Sequence, residues 1–146
     1  MILKNEREMK NFANGFSKDL GNYRILALYG DLGSGKTTFV QGLAAGLGVE
    51  RRILSPTFVF QRSYNVINKP FNRLHHLDLY RLSNLKDAKA LGIEELFSEK
   101  DSVIAIEWPE IIETLLPRET IKIRFKKVNE SERELTVEKP QSLSSR

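Results

Sequence analysis

Apolar positions along the chain change period several times, and each change marks an element. From Asn5 to Leu20 the residues Met9, Phe12, Ala13, Phe16 and Leu20 recur every three or four positions, which predicts an amphipathic helix closed by Gly21-Asn22. Tyr23 to Tyr29 reads YRILALY, a short apolar run suited to a strand covered on both faces. Thr38 to Leu47 returns to helical spacing through Phe39, Leu43, Ala44 and Leu47, with Gly46 and Gly48 at its end and Val49 to Arg52 as a polar bridge. After Ser55-Pro56-Thr57-Phe58, Val59 to Ile67 and Arg73 to Tyr80 are extended in composition. The turn-like Asn68-Lys69-Pro70-Phe71-Asn72 between them makes a hairpin the economical reading. Leu85 to Phe97 is helical with a break at Gly92, Ser102 to Trp108 is a second buried strand stopped by Pro109, and Glu110 to Leu116 is a short helix. Ile121 to Val128 and Glu134 to Glu138 alternate like a closing pair of strands.

Alternation of strands and helices predicts an α/β fold: a three-layer sandwich around a mixed, largely parallel central sheet. The Tyr23 and Ser102 strands, apolar throughout, belong side by side at its centre. With 146 residues, no internal repeat and no linker, the chain reads as one domain over residues 1–139. A polar tail, residues 140–146, is expected to be disordered.

Composition narrows the function classes. Forty per cent apolar and 29% charged residues describe an ordinary soluble protein. No apolar run approaches the ~20 residues of a membrane helix, and Met1-Ile2-Leu3-Lys4 lacks a signal-peptide core, so a cytoplasmic protein is expected. The absence of cysteine excludes disulfides and thiolate metal sites. A net charge of +4 permits contact with RNA without demanding it, and the lysines and arginines form no conspicuous cluster.

The decisive chemistry lies between the Tyr23 strand and the Thr38 helix. Gly30-Asp31-Leu32-Gly33-Ser34-Gly35-Lys36-Thr37 spells G-x-x-x-x-G-K-[ST], the phosphate-binding Walker A pattern. Its glycines let successive backbone N–H groups converge on an anion, and a helix N-terminus adds its positive end. Lys36 can reach the β- and γ-phosphates, and the Thr37 hydroxyl can take a place on magnesium. Strand, loop and helix in that order predict a P-loop NTPase that binds a nucleoside triphosphate.

Such a site needs a carboxylate at the end of a neighbouring buried strand. Val103-Ile104-Ala105-Ile106-Glu107 supplies one, and Glu107 is the first candidate for magnesium, directly or through water. Asp78 competes: in His76-Leu77-Asp78-Leu79-Tyr80, period-two alternation puts His76, Asp78 and Tyr80 on one face, either a catalytic face or an exposed polar one. Thr57 follows the first crossover, where threonines that sense a γ-phosphate tend to lie. His75 and His76 point to opposite faces of a strand and, with no cysteine nearby, make an improbable metal site.

Four strings, GDLGSGKTTF, SPTF, HLDLYRL and IEWPE, in that order and spacing, resemble the TsaE family, the ATPase subunit of the bacterial tRNA threonylcarbamoyladenosine system. The resemblance runs from about Arg24 to Pro117. It implies a cytoplasmic protein, monomeric when free, that binds ATP and magnesium. It would join the two-protein complex that transfers a threonylcarbamoyl group to adenosine 37 of tRNA, contacting tRNA indirectly. ATP hydrolysis would drive or reset the transferase partners rather than perform the transfer, and activity would be weak alone. By motif, Gly33, Ser34, Gly35, Lys36, Thr37 and Thr38 would hold phosphates, and Thr37 and Glu107 would serve magnesium. Lys36, Thr57 and Asp78 would form the catalytic and switch region, with Trp108 near the nucleotide and Arg133 near the base. Met9 stands where many relatives have threonine, so nothing is carried over from the first helix.

Other classes fit less well. A GTPase needs N-K-x-D to read guanine, and Asn68-Lys69-Pro70-Phe71 ends in a side chain that accepts no hydrogen bond. A small-molecule kinase shares the fold but needs an arginine-rich lid, which the sequence lacks. A nucleotide-sensing adaptor would bind ATP without turnover.

Overall fold

The computed structural model describes residues 1–55 and 59–140. Thr57, with the rest of 56–58, and the tail from 141 onward lie outside the described residues. The elements are β1 (Ile2–Leu3), α1 (Glu6–Lys18), β2 (Ile25–Tyr29), α2 (Lys36–Leu47), β3 (Gln61–Asn65), β4 (Arg73–Asp78), α3 (Leu85–Ala90), α4 (Ile93–Phe97) and β5 (Ser102–Glu107). A 3₁₀ helix (Pro109–Leu115), β6 (Ile121–Lys127) and β7 (Arg133–Glu138) complete the chain.

The seven strands among the described residues form one sheet in the order β1-β7-β6-β2-β5-β4-β3. β6, β2, β5 and β4 run parallel, and β1, β7 and β3 add antiparallel edges. The loop-bearing strand and the Ser102 strand are neighbours at the middle of the sheet, as their double-sided apolar runs require. β6 alternates instead: Ile121, Ile123 and Phe125 are buried, while Arg124 and Lys126 reach solvent.

Helices cover both faces. On one, Phe39 of α2 sits in an aromatic cluster with Phe12, Phe16 and Phe125, with ring centroids 5.6 to 6.2 Å apart. Leu26, Leu28, Leu74, Val103 and Ala105 floor that layer. Burying such side chains contributes about 1.5–3 kcal/mol each, which fixes α2 and the loop before it against the sheet. On the other face Ile25, Leu77, Ile104 and Ile106 meet α3, α4 and the 3₁₀ helix. No helix among the described residues is long and apolar enough to cross a membrane.

Two elements differ from expectation, and at a third the structure removes one of two alternatives, the exposed polar face. β1 is only two residues long, too short for periodicity to reveal, and pairs with β7. The segment after Pro109 winds as a 3₁₀ helix kinked at Ile112, tighter than the short α-helix its spacing suggests. The His76 face of β4 is buried: His76 is 0% and Asp78 5% exposed, on the face where Leu74 joins the core layer that includes Phe39, Val40 and Leu43 of α2. Tyr80 lies beyond the strand and is half exposed.

Candidate functional site

β2 delivers the chain to Gly30, and α2 begins at Lys36. Between them Gly33 (φ +77°) and Gly35 (φ +109°) adopt backbone conformations that a side chain would oppose. The Ser34 N–H closes a turn on the Asp31 carbonyl at 3.1 Å. Gly35 caps α2 without a side chain, so the first-turn N–H groups face the loop's concavity rather than a capping oxygen. That concavity is suited to an anion by both geometry and helix dipole.

Lys36 is buried, donates to the Gly30 carbonyl, and holds its ammonium 3.5 Å from the centroid of the Trp108 ring. Burial pushes its pKa below the usual lysine range, opposed by the negative charges of Glu107, Glu110, Asp78 and Asp31. Such a desolvated cation is stabilised by an arriving phosphate. Trp108 can cover it because its backbone turns into the left-handed region (φ 57°, ψ 58°) immediately after β5. A non-glycine residue there costs of order 1–3 kcal/mol, and the tight Glu107-Trp108-Pro109 corner retains it. Tyr80 packs against the same indole, with centroids 4.8 Å apart.

Glu107 ends β5 directly opposite Asp78 in the parallel register with β4. Both are buried beside the start of α2. The Thr37 hydroxyl donates to the Glu107 carboxylate, 2.9 Å from Oε2 and 3.1 Å from Oε1. On the core side, His76 Nε2 approaches Oε2 at 2.6 Å. Asp78 Oδ1 accepts the Tyr80 N–H at 3.0 Å. His75 faces the other way, its Nδ1 2.7 Å from Ser63 Oγ and its Nε2 2.9 Å from Glu99 Oε1. Among the described residues, no three histidines or carboxylates gather into a metal cage. A hydroxyl and a carboxylate alone suit an ion that brings most of its shell as water and phosphate oxygen, as magnesium does.

A cavity of about 600 Å³ opens on this arrangement. Gly33 to Thr38, Asp78, Glu107, Trp108 and Arg133 all line it, so the described candidates from distant parts of the chain converge. Arg133 is held across the mouth, donating to the Gly33 carbonyl at 3.1 Å and the Asn129 carbonyl at 2.8 Å. Thr57 lies outside the described residues. The wall also includes Asn5, Glu6 and Met9, which the periodicity of α1 marks only as a helix start and a core position. The available signal was the polar Asn5-Glu6 pair at a helix N-terminus, which has no meaning until α1 is known to pack beside the loop.

Residues 3–135 match the family model described as threonylcarbamoyl adenosine biosynthesis protein TsaE. The chain belongs to the TsaE family. It is 42% identical over 123 residues to the tRNA threonylcarbamoyladenosine biosynthesis protein TsaE of Borreliella burgdorferi, covering 83% of this chain and 87% of that one. It is 42% identical over 112 residues to TsaE of Bacillus subtilis, covering 77% of this chain and 67% of that one. A crystal structure titled as Bacillus subtilis YdiB is similar with a TM-score of 0.74 and 32% identity, over 94% of this chain and 82% of that one. The TsaE family is named for tRNA threonylcarbamoyladenosine biosynthesis, which makes this a tRNA-modification protein of α/β fold.

Proposed function

We propose that this TsaE protein is a magnesium-dependent ATPase serving the threonylcarbamoylation of adenosine 37 in tRNA. The observation that carries the reading is the contact between Thr37 and Glu107, which joins the phosphate loop to the carboxylate of the adjacent strand. A merely structural glycine loop has no need of a buried carboxylate at that hydroxyl.

In this reading the N–H groups of Gly33 to Thr38 cradle phosphates, and Lys36 leaves the Trp108 face to pair with the β- and γ-oxygens. Thr37 and Glu107 hold magnesium, Glu107 directly or through water. When bound, magnesium neutralises charge developing on the transferring phosphoryl group. Asp78, opposite Glu107, positions the attacking water or couples it to Thr57, which would sense the γ-phosphate. Trp108 and Arg133 flank the nucleoside.

Hydrolysis then acts as a switch read by the two-protein transferase, which must bind the ATP and ADP forms with different affinity. The chain works in the cytoplasm, is monomeric when free, and reaches tRNA through its partners. Supporting this are a sequence without a recognisable arginine-rich lid and a family named for that modification. The test is reconstitution: ADP release by the chain with magnesium, alone and with the transferase pair. Weak turnover that rises with the partners is expected. Phosphorylation of a metabolite by the chain alone would favour a kinase, and ATP binding without turnover in any mixture an adaptor.

A further inference from the structure

His76 belongs to no part of the nucleotide chemistry above, yet it is the most completely buried titratable side chain beside it, with 0% exposure. Its Nε2 lies 2.6 Å from Glu107 Oε2. An ionised carboxylate only accepts hydrogen bonds, so Nε2 carries the proton and donates. Nδ1 is buried with no hydrogen-bond partner among the described residues. A histidine kept solely to fill space would be better replaced by an apolar side chain, because the unpartnered nitrogen is costly in a dry layer. What the imidazole does supply is a directed donor on the core side of Glu107, while Thr37 holds its cavity side.

The register explains why this residue can do so. Asp78 pairs with Glu107 and His76 with Ala105, so His76 sits two residues back on the same face, where an imidazole reaches diagonally to the carboxylate. We infer that His76 is a positioning residue that fixes the rotamer of Glu107 for magnesium. This rests on the reading that Glu107 serves the ion. When Thr37 turns its hydroxyl to magnesium, His76 remains as the anchor that keeps Glu107 aimed, as outer-shell donors do for metal-binding carboxylates.

The test measures magnesium affinity rather than turnover. A fluorescent ATP analogue is titrated onto the full chain at increasing magnesium, and again in EDTA. His76→Leu should weaken the apparent magnesium affinity roughly ten- to a hundredfold while leaving binding in EDTA unchanged. His76→Gln, whose amide N–H reaches where Nε2 stands, should restore it to within a few-fold. Equal magnesium affinity in wild type and His76→Leu would overturn the inference and leave the magnesium reading intact. A wild type with no magnesium dependence would remove that reading and this inference with it. Should His76→Leu fail to fold, ¹⁵N NMR of the wild-type imidazole decides: a proton on Nε2 supports the role, and an Nε2 without one rejects it.

Discussion

The Lys36 ammonium stands 3.5 Å from the centroid of the Trp108 ring, so the Walker A lysine and the residue after Glu107 are in contact. A cation–π contact with a partly desolvated ammonium is worth ~2 kcal/mol. It gives the charge a place to rest without committing it to a carboxylate, from which a phosphate would have to detach it.

The first prediction follows from that contact. Trp108 is the chain's one tryptophan, so its emission reports on this corner alone. Adding magnesium and ATP should change the emission as Lys36 moves away. In Lys36→Ala the spectrum should differ before nucleotide is added, with circular dichroism unchanged. Losing a charge-assisted bond of about 1.5–3 kcal/mol should weaken ATP binding roughly ten- to a hundredfold and abolish hydrolysis. Normal hydrolysis by the folded variant would sink the phosphate-loop reading.

The second separates the two carboxylates. Glu107 touches Thr37, whereas Asp78 Oδ1 is engaged by the Tyr80 backbone. Glu107→Gln should lower magnesium affinity by at least about tenfold. Asp78→Asn should leave binding near wild type and cut turnover by roughly 10²–10⁴, the range of a positioned proton acceptor. Magnesium titrations beside single-turnover hydrolysis distinguish them, and loss of the magnesium effect in Asp78→Asn alone would reverse the roles.

Much of this site was legible because its parts are local. The Gly30 to Thr37 pattern, the apolar run that ends in Glu107 and the helical spacing after Thr38 each sit within about ten residues, where period and motif are informative. The rest depends on contacts that no period encodes. The burial of His76 follows from the layer packed on that face of the sheet, not from β4 itself. Asn5 and Met9 reach the cavity only because α1 packs on α2, and Arg133 arrives from β7 a hundred residues away to bond Gly33. β1 is simply shorter than one alternation.

That α1–α2 packing makes the third prediction. A Cβ on Gly42 would fall 2.4 Å from the Lys10 carbonyl oxygen, and one on Gly46 2.0 Å from Ser17 Oγ and 2.6 Å from the Asn14 carbonyl oxygen. The clashes at Lys10 and Asn14 involve backbone, which cannot rotate away. Gly42→Ala and Gly46→Ala should each destabilise by about 1–3 kcal/mol, seen as a lower urea midpoint with the same slope. The double variant should cost less than the sum, because one outward shift of α1 relieves both. Since α1 carries Asn5 and Met9, either variant should also weaken nucleotide binding. Unchanged midpoints would mean that α1 is not held this closely.

The last prediction concerns alkaline pH and lies on the opposite face. Tyr29, the residue before Gly30, donates its hydroxyl to Glu113 at 2.7 Å, and Glu113 in turn pairs with Lys122 at 2.5 Å. Burial first, then the hydrogen bond to Glu113 and that residue's charge, raise the Tyr29 pKa far above the usual tyrosine range, with Arg124 opposing from 4.6 Å off the ring. Below about pH 10 the phenol is protonated in both native and unfolded chains, so it adds no pH dependence. Above that the unfolded chain loses the proton while the native one keeps it. Native stability therefore falls as pH rises from about 10 towards the raised native value. Tyr29→Phe lacks this group and should show a shallower decline in urea midpoint over the same range, although it gives up a hydrogen bond worth about 0.5–1.5 kcal/mol at neutral pH. Tyrosinate absorbance gives the direct check. Native wild-type and Tyr29→Phe traces should coincide to about pH 11 and differ by one tyrosine in urea. Divergence of the native traces near pH 10 would show that Glu113 does not hold the phenolic proton.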